Sequence, residues 1–172
     1  MWYEDVTDDA KVAFVLTLTE KIVEQTKNYE WHRLIQKVLH KCWEWVEEKK
    51  HSADEIYVEF DDEDDAIVYI EGYKEVQSNP HLKYLFFCIF DGFCYVIWKI
   101  YEYEGEDSSV PQYFESESDS SIQEFTEKIK KVDEYQKEWA DRLKQYLLEN
   151  YPAESDKKIK RNEILKQMDQ SS

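Results

Sequence analysis

Three observations in the sequence predict an all-α, single-domain fold, a bundle of mostly α-helical segments. Glycine and proline are scarce, three of each in 172 residues, which removes the breakers that many-turned sheets need. Apolar residues recur at i, i+3, i+4 and i+7 over long stretches. Helix-start signals precede several of those stretches. The length suits one domain with a real core, and six Trp, thirteen Tyr and eight Phe supply the large side chains to fill it.

Thr7, followed by Asp8 and Asp9, opens the first helix, because a capping hydroxyl and two carboxylates meet its free N–H groups and dipole. Val12, Val15, Leu16, Thr19, Ile22 and Val23 give it an amphipathic stripe to about residue 27. A second helix, from about 30 to 49, carries Trp31, Leu34, Ile35, Val38, Leu39, Cys42, Trp45 and Val46 on one stripe. Trp43 and Trp45 lie about 200° apart on it, so they cannot face the same core, and one is expected to be half-exposed or covered by another helix. Ser52 with Glu55 forms a capping box and starts a helix. The β-branched content of "IYVEF" and "AIVYI" argues for strand instead, so residues 55–71 read as helix with β as the alternative.

Asn79-Pro80 begins a long helix to about residue 103. Its apolar run, "YLFFCIFDGFCYVIW", is fifteen residues and contains Asp91 and Gly92, short of the roughly 20 a membrane span needs. It reads as a central buried helix. The polar stretch "EGEDSSVPQYFESESDSS" reads as a loop with a helical turn in it. Ser121 and Glu124 form another capping box, opening a helix to about 135, and a further helix runs to Tyr151-Pro152. The domain is thus expected over residues 1–152, with 153–172 a charged tail, frayed helix or disordered. Cys42, Cys88 and Cys94 are odd in number, lack CxxC spacing and sit in apolar helical contexts, which fits buried free thiols in a reducing compartment. No basic leader opens the chain, and the expected location is cytoplasmic.

The net charge of −17 is unevenly placed. Residues 51–73 hold nine acids and no Lys or Arg, and residues 100–127 hold nine more and again no base. Such blocks repel each other, so folding alone gives no reason to keep them. They read either as a solubilising surface or as a field aimed at a basic partner. Nucleic acid and anionic membrane would be repelled, so neither is expected as a direct partner.

Chemical alternatives fare poorly. An EF-hand loop starting at Asp61 would need Gly at its sixth place and Glu at its twelfth, where Ala66 and Gly72 stand. A di-metal bundle needs two Glu-x-x-His pairs, and Glu48-Lys-Lys-His51 is a lone one at a lysine-rich helix end. Cys42 and His40 fall on different helix faces, and no nucleophile elbow, P-loop or dinucleotide fingerprint occurs. Neither a catalytic residue, a metal site nor a cofactor is expected. His32, His40, His51 and His81 form no pattern.

Four stretches, "DDAKVAFVLTLTEKIVEQ", "CWEWVEEKKHSADEIY", "VIWKIYEYEGEDSSVPQYF" and "KEWADRLKQYLLENYP", occur in that order. Together they resemble the sixth family of immunity proteins of bacterial polymorphic toxin systems, over roughly residues 5 to 152. The resemblance implies a small, mostly helical cytoplasmic protein, encoded beside a toxin gene, that neutralises the toxin by binding and without turnover. It favours the helical reading of 55–71 and assigns no site residue. The dense "FDDEDD" run departs from it and reads as tuning towards a particular partner.

Resemblance and charge map agree on a non-enzymatic binder of a cognate protein toxin, with a basic nuclease domain as the kind of target such charge would suit. Another acidic binding protein, a nucleic-acid mimic or a regulator of a basic protein, is the alternative. Oligomeric state is left open. The candidate contacts in the first segment are Asp61, Asp62, Glu63, Asp64, Asp65 and Tyr69. In the second they are Glu102, Glu104, Glu106, Asp107, Tyr113, Phe114, Glu115 and Glu117. Tyr57, Tyr73 and Tyr103 are further aromatic anchors.

Overall fold

The computed structural model describes residues 1–61, 65–105 and 110–169. Its helices are α1 (Asp8–Val23), α2 (His32–Glu48), α3 (Ala53–Phe60), α4 (Lys74–Ser78), α5 (Pro80–Glu104), α6 (Ser121–Ile129), α7 (Glu138–Asn150) and α8 (Arg161–Asp169). Short 3-10 turns intervene, among them Ile67–Gly72 and Gln112–Phe114. The described residues contain no strand, only an isolated antiparallel bridge between Val6 and Pro152. The architecture is all-α.

Local starts behave as their chemistry requires. Thr7 accepts the Ala10 N–H at 3.1 Å, and Asn79 accepts from both His81 and Leu82 ahead of a proline at the first helical position. Ser52 accepts the Glu55 N–H at 3.2 Å and starts α3, so the region read as helix or strand is α-helical to Phe60 and takes a 3-10 turn from Ile67. The β-branched Ile56, Ile67 and Ile70 are wholly buried there, packed from a helix and a 3-10 turn rather than from a sheet.

Helices α1 and α5 form the centre. Five consecutive residues of α5, Phe93 to Ile97, are buried. At 100° per residue they cover every side of the helix, so this turn has no solvent face. By length and composition α5 could cross a membrane, but 72% of its most apolar window is enclosed by the rest of the protein. Helix α1 was expected to be amphipathic, and the structure corrects this: every residue from Val12 to Thr19 is buried. Its less apolar side is made of small residues, and Thr17 satisfies its own hydroxyl by donating to the Ala13 carbonyl at 2.6 Å. Helices α2, α6, α7 and α8 pack on α1, while α3, α4 and α6 pack on α5.

The two central helices meet at Gly92. A Cβ there would collide with the Thr19 hydroxyl and stand 3.3 Å from Phe125, so only hydrogen fits. Cys42, Cys88 and Cys94 are all buried free thiols. Burial pushes all three up, Cys88 to about 11.

Two boundaries differ from expectation. Helix α6 ends at Ile129, not near 135, and the turns that follow include a left-handed Glu134 (φ 66°). Its expected cap is also absent: the Ser121 hydroxyl accepts from the Ser118 N–H instead. Where a frayed or disordered tail was expected after 152, the described residues lead into α8, which is seated on the core, with Ile159, Ile164 and Met168 buried. Arg161 lies 5.9 Å over the Trp43 ring and bonds Glu20, whose carboxylate also takes the Trp43 indole N–H at 2.8 Å. Trp43 and Trp45 are therefore both buried, Trp43 beneath this last helix.

Gly92→Ala is expected to destabilise the protein by about 1–3 kcal/mol in urea unfolding, overpacking outweighing alanine's better helix propensity. Thr19→Ala in the same chain is expected to restore part of the loss. Strictly additive effects would show that the two positions do not touch.

Candidate functional site

The two base-free acidic segments meet at one aromatic cluster. Tyr57 and Phe60 come from α3, and Tyr113 and Phe114 from the turn that follows the second segment's first acids. Phe60 stands 5.8 Å from Phe114 and 6.1 Å from Tyr113, and Tyr57 meets Phe114 edge-on at 5.8 Å. Phe90 of α5 closes the cluster from below, 5.0 Å from Phe60. Offset and edge-on ring pairs of this kind stabilise beyond the area they bury. Chain segments some fifty residues apart are thereby joined at one surface.

The candidate residues divide into groups. Phe114 is wholly buried and cannot be an exposed anchor; its ring is a wall of the core on which the surface tyrosines rest. Tyr69 and Tyr113 are about half exposed. Asp61 closes α3 and accepts the Tyr57 hydroxyl at 2.9 Å. Burial, then this bond to a carboxylate, pushes Tyr57 up to about 12, so it remains a donor. Burial also raises Tyr113, helped by the nearby charge of Asp61. Asp65 pairs with Arg33 of α2 at 2.7 Å, and Glu115 is exposed beside Phe114. Asp62, Glu63, Asp64, Glu106 and Asp107 lie outside the described residues.

The other candidates point elsewhere. Glu104 accepts the Ala53 N–H at 2.6 Å, at the opposite end of α3. Burial raises Glu117, only partly offset by a Ser121 hydrogen bond, and Asp91 and Glu124 add like charge. Glu102 belongs to an ionic network that sequence reasoning missed. Lys99, 4% exposed in the body of α5, reaches Glu102 at 2.8 Å, Asp119 at 3.1 Å and Asp8 at 3.2 Å. Lys11 adds contacts of 3.0 Å to both Asp8 and Asp119, and the Tyr95 hydroxyl donates to Asp119 at 3.0 Å. A lone lysine in the apolar run "YVIWKIY", with an acid three residues on, was the signal available for it.

This network fastens the end of the second acidic segment to α1 and α5. Burial alone would raise Asp119, but hydrogen bonds from Lys11 and Lys99 outweigh it and hold the carboxyl below its ordinary range. Asp8 is depressed in the same way, by Lys11 and Lys99 against burial. Among the described residues no three His, Cys, Asp or Glu side chains gather as a metal site would need. Here the carboxylates gather around ammonium groups instead.

An open cleft of about 480 Å³ lies at the aromatic cluster, lined by Tyr57, Gln112 and Tyr113. A wider groove of about 760 Å³ between α1 and the 133–139 turn mixes Lys21 and Lys27 with Glu24, Asp133 and Glu134, so it presents no single sign of charge. The tyrosine-lined cleft is the one that adjoins the acidic segments, through the Tyr57–Asp61 hydrogen bond.

Against known protein families, residues 10–132 match the family model of the immunity protein Imm6. No curated protein and no solved structure matches the chain.

Asp119→Asn is expected to cost on the order of 1–3 kcal/mol at neutral pH. Because the folded-state pKa of Asp119 is depressed, its contribution is present above its unfolded value and fades as pH falls through the folded one. The gap between wild type and variant in urea unfolding should therefore close below about pH 4. A gap that persists into acid would mean the carboxylate charge is not what the network uses.

Proposed function

Because this chain belongs to the Imm6 family of immunity proteins, we propose that it neutralises its toxin by covering the toxin's active site with the face where the two acidic segments converge. One observation carries the choice of face: Tyr57, Phe60, Tyr113 and Phe114 bring together two segments that lack any lysine or arginine. Within the same two segments, carboxylates away from this cluster are already held by lysines of other stretches. Glu59 takes Lys37 and Lys41, Asp119 takes Lys11 and Lys99, and Glu127 takes Lys130.

A basic surface fits such a face, and a nuclease domain with a phosphate-holding cleft is the target class we favour. Charge at the rim speeds capture and selects the partner, by roughly 10- to 1000-fold in association rate at low salt. The exposed rings of Tyr69 and Tyr113 supply the slow step in dissociation, since aromatic anchors dominate such barriers. We place the encounter in the cytoplasm and assign the chain no turnover.

The test is growth rescue from the C-terminal domain of the polymorphic toxin encoded beside this gene, followed by binding kinetics at two ionic strengths. Reversing Asp61 and Glu115 to lysine is expected to slow association about 10-fold at low salt and to flatten its salt dependence. Glu127→Lys, on α6, should change neither. If the double reversal leaves rate and salt dependence as in the wild type, this face does not meet the toxin.

A further inference from the structure

The Tyr57–Tyr113 cleft has a shape and charge that select one kind of occupant. Tyr57 and Tyr113 both rest on the Phe60–Phe114 pair, so their positions are fixed from below while Tyr113 stays 48% exposed. The Asp61 carboxylate sits at its edge: Oδ2 accepts the Tyr57 hydroxyl, and no described residue takes Oδ1. Asp61 also caps the C-terminal end of α3, its N–H bonding the Tyr57 carbonyl at 2.9 Å, where the helix dipole presents its negative end. Two tyrosines and Gln112 thus line an open space of about 480 Å³, and the Tyr57 hydroxyl ties that lining to a carboxylate at a helix C-terminus.

Each class of occupant can be weighed against this arrangement. An apolar side chain would desolvate Asp61 without giving it a partner. A phosphate or carboxylate would meet repulsion from Asp61 and from the dipole. A second copy of the chain would bring the same acidic face against itself. A cation satisfies every group. Between the two cationic side chains, lysine is compact and strongly hydrated, whereas the arginine guanidinium is planar, sheds water more readily, stacks on aromatic rings and forks onto a carboxylate.

We propose that the cleft between Tyr57 and Tyr113 receives an arginine side chain of the toxin, stacked on the tyrosine rings and paired with the Asp61 carboxylate. This deepens the reading of the acidic face as the toxin-binding one and rests on it. The acids around the cleft bring the basic surface close, and the cleft fixes which residue of that surface enters and in what register.

The experiment uses the full chain and two probes. In the first arm, N-acetyl-arginine methylamide is titrated while amide resonances are followed by NMR. Saturable shifts are expected at Tyr57, Asp61, Gln112 and Tyr113. The neutral citrulline analogue should give none, and the lysine analogue should bind about 10-fold more weakly. Tyr113→Phe keeps the response; Tyr113→Ala and Asp61→Asn lose it. Citrulline shifting the same amides as arginine, or no saturable shift at all, overturns the proposal. In the second arm, the adjacent toxin domain is bound to the same variants, and Tyr113→Ala and Asp61→Asn are each expected to weaken the complex about 10-fold or more. Equal affinity in wild type and both variants removes the cleft from the interface while leaving the immunity reading intact. Arginine binding in the cleft without any binding of the toxin by the wild type would instead reject the surface reading and its pairing with that toxin.

Discussion

The close crossing of α1 and α5 at Gly92 is the constraint on which the rest of the molecule depends. Two helices whose middle turns are buried on every side have no surface of their own to offer there, so the other elements serve as their cover. Contact of Gly92 with the Thr19 hydroxyl sets how near the two axes lie. Around that fixed pair, α3 and α4 cover one flank of α5, and α2, α7 and α8 cover α1. Helix α6 bridges both, and Phe125 reaches the crossing itself. The protein's polar surface is carried by thin amphipathic elements wrapped on an apolar centre.

That plan separates the acidic residues into two populations with different physics. Asp8, Glu102 and Asp119 surround the buried Lys99 and hold the second segment to the centre. Their charge is matched locally and projects little field. Asp65 and Glu71 make exposed contacts to Arg33 and Lys83, of the kind that contributes little stability. Asp61 and Glu115 remain at the aromatic cluster, without a described cation beside them. A count of carboxylates along the chain overstates the outward field, because the sequence does not say which ones lysines from other helices will reach.

How much was legible follows from the range of each interaction. Thr7, Ser52 and Asn79 announced helix starts correctly because a cap is settled within three residues. Ser121 carried the same pattern, yet its hydroxyl serves Ser118, a competing neighbour that spacing alone cannot rank. Helical spacing found the core side of α2 but took α1 for amphipathic, since Ala13 and Thr17, off the predicted stripe, look neutral or polar and are filler in a buried helix. Burial of Phe114, the Lys99 network and the docking of Arg161 on Trp43 join residues 20 to 118 positions apart, where no local pattern operates. The acids of the candidate face were nameable from sequence. Gln112 was not, because its place exists only once α3 and the 112–114 turn share one cluster, whereas the Tyr57–Asp61 bond spans four residues and lay within reach of helical spacing.

The three cysteines acquire a meaning from where they lie. None has a thiol partner, and burial holds all three in the protonated form. Nucleophilic attack, oxidation and alkylation all proceed through the thiolate and need access to it. In the folded molecule both are withheld at once, so the fold is indifferent to the redox potential around it. A thiol reagent added to the native protein reacts only as fast as the centre opens. Modification of Cys42, on the buried side of α2, and of Cys88 and Cys94, on α5, is then a clock for opening at two places in the same core.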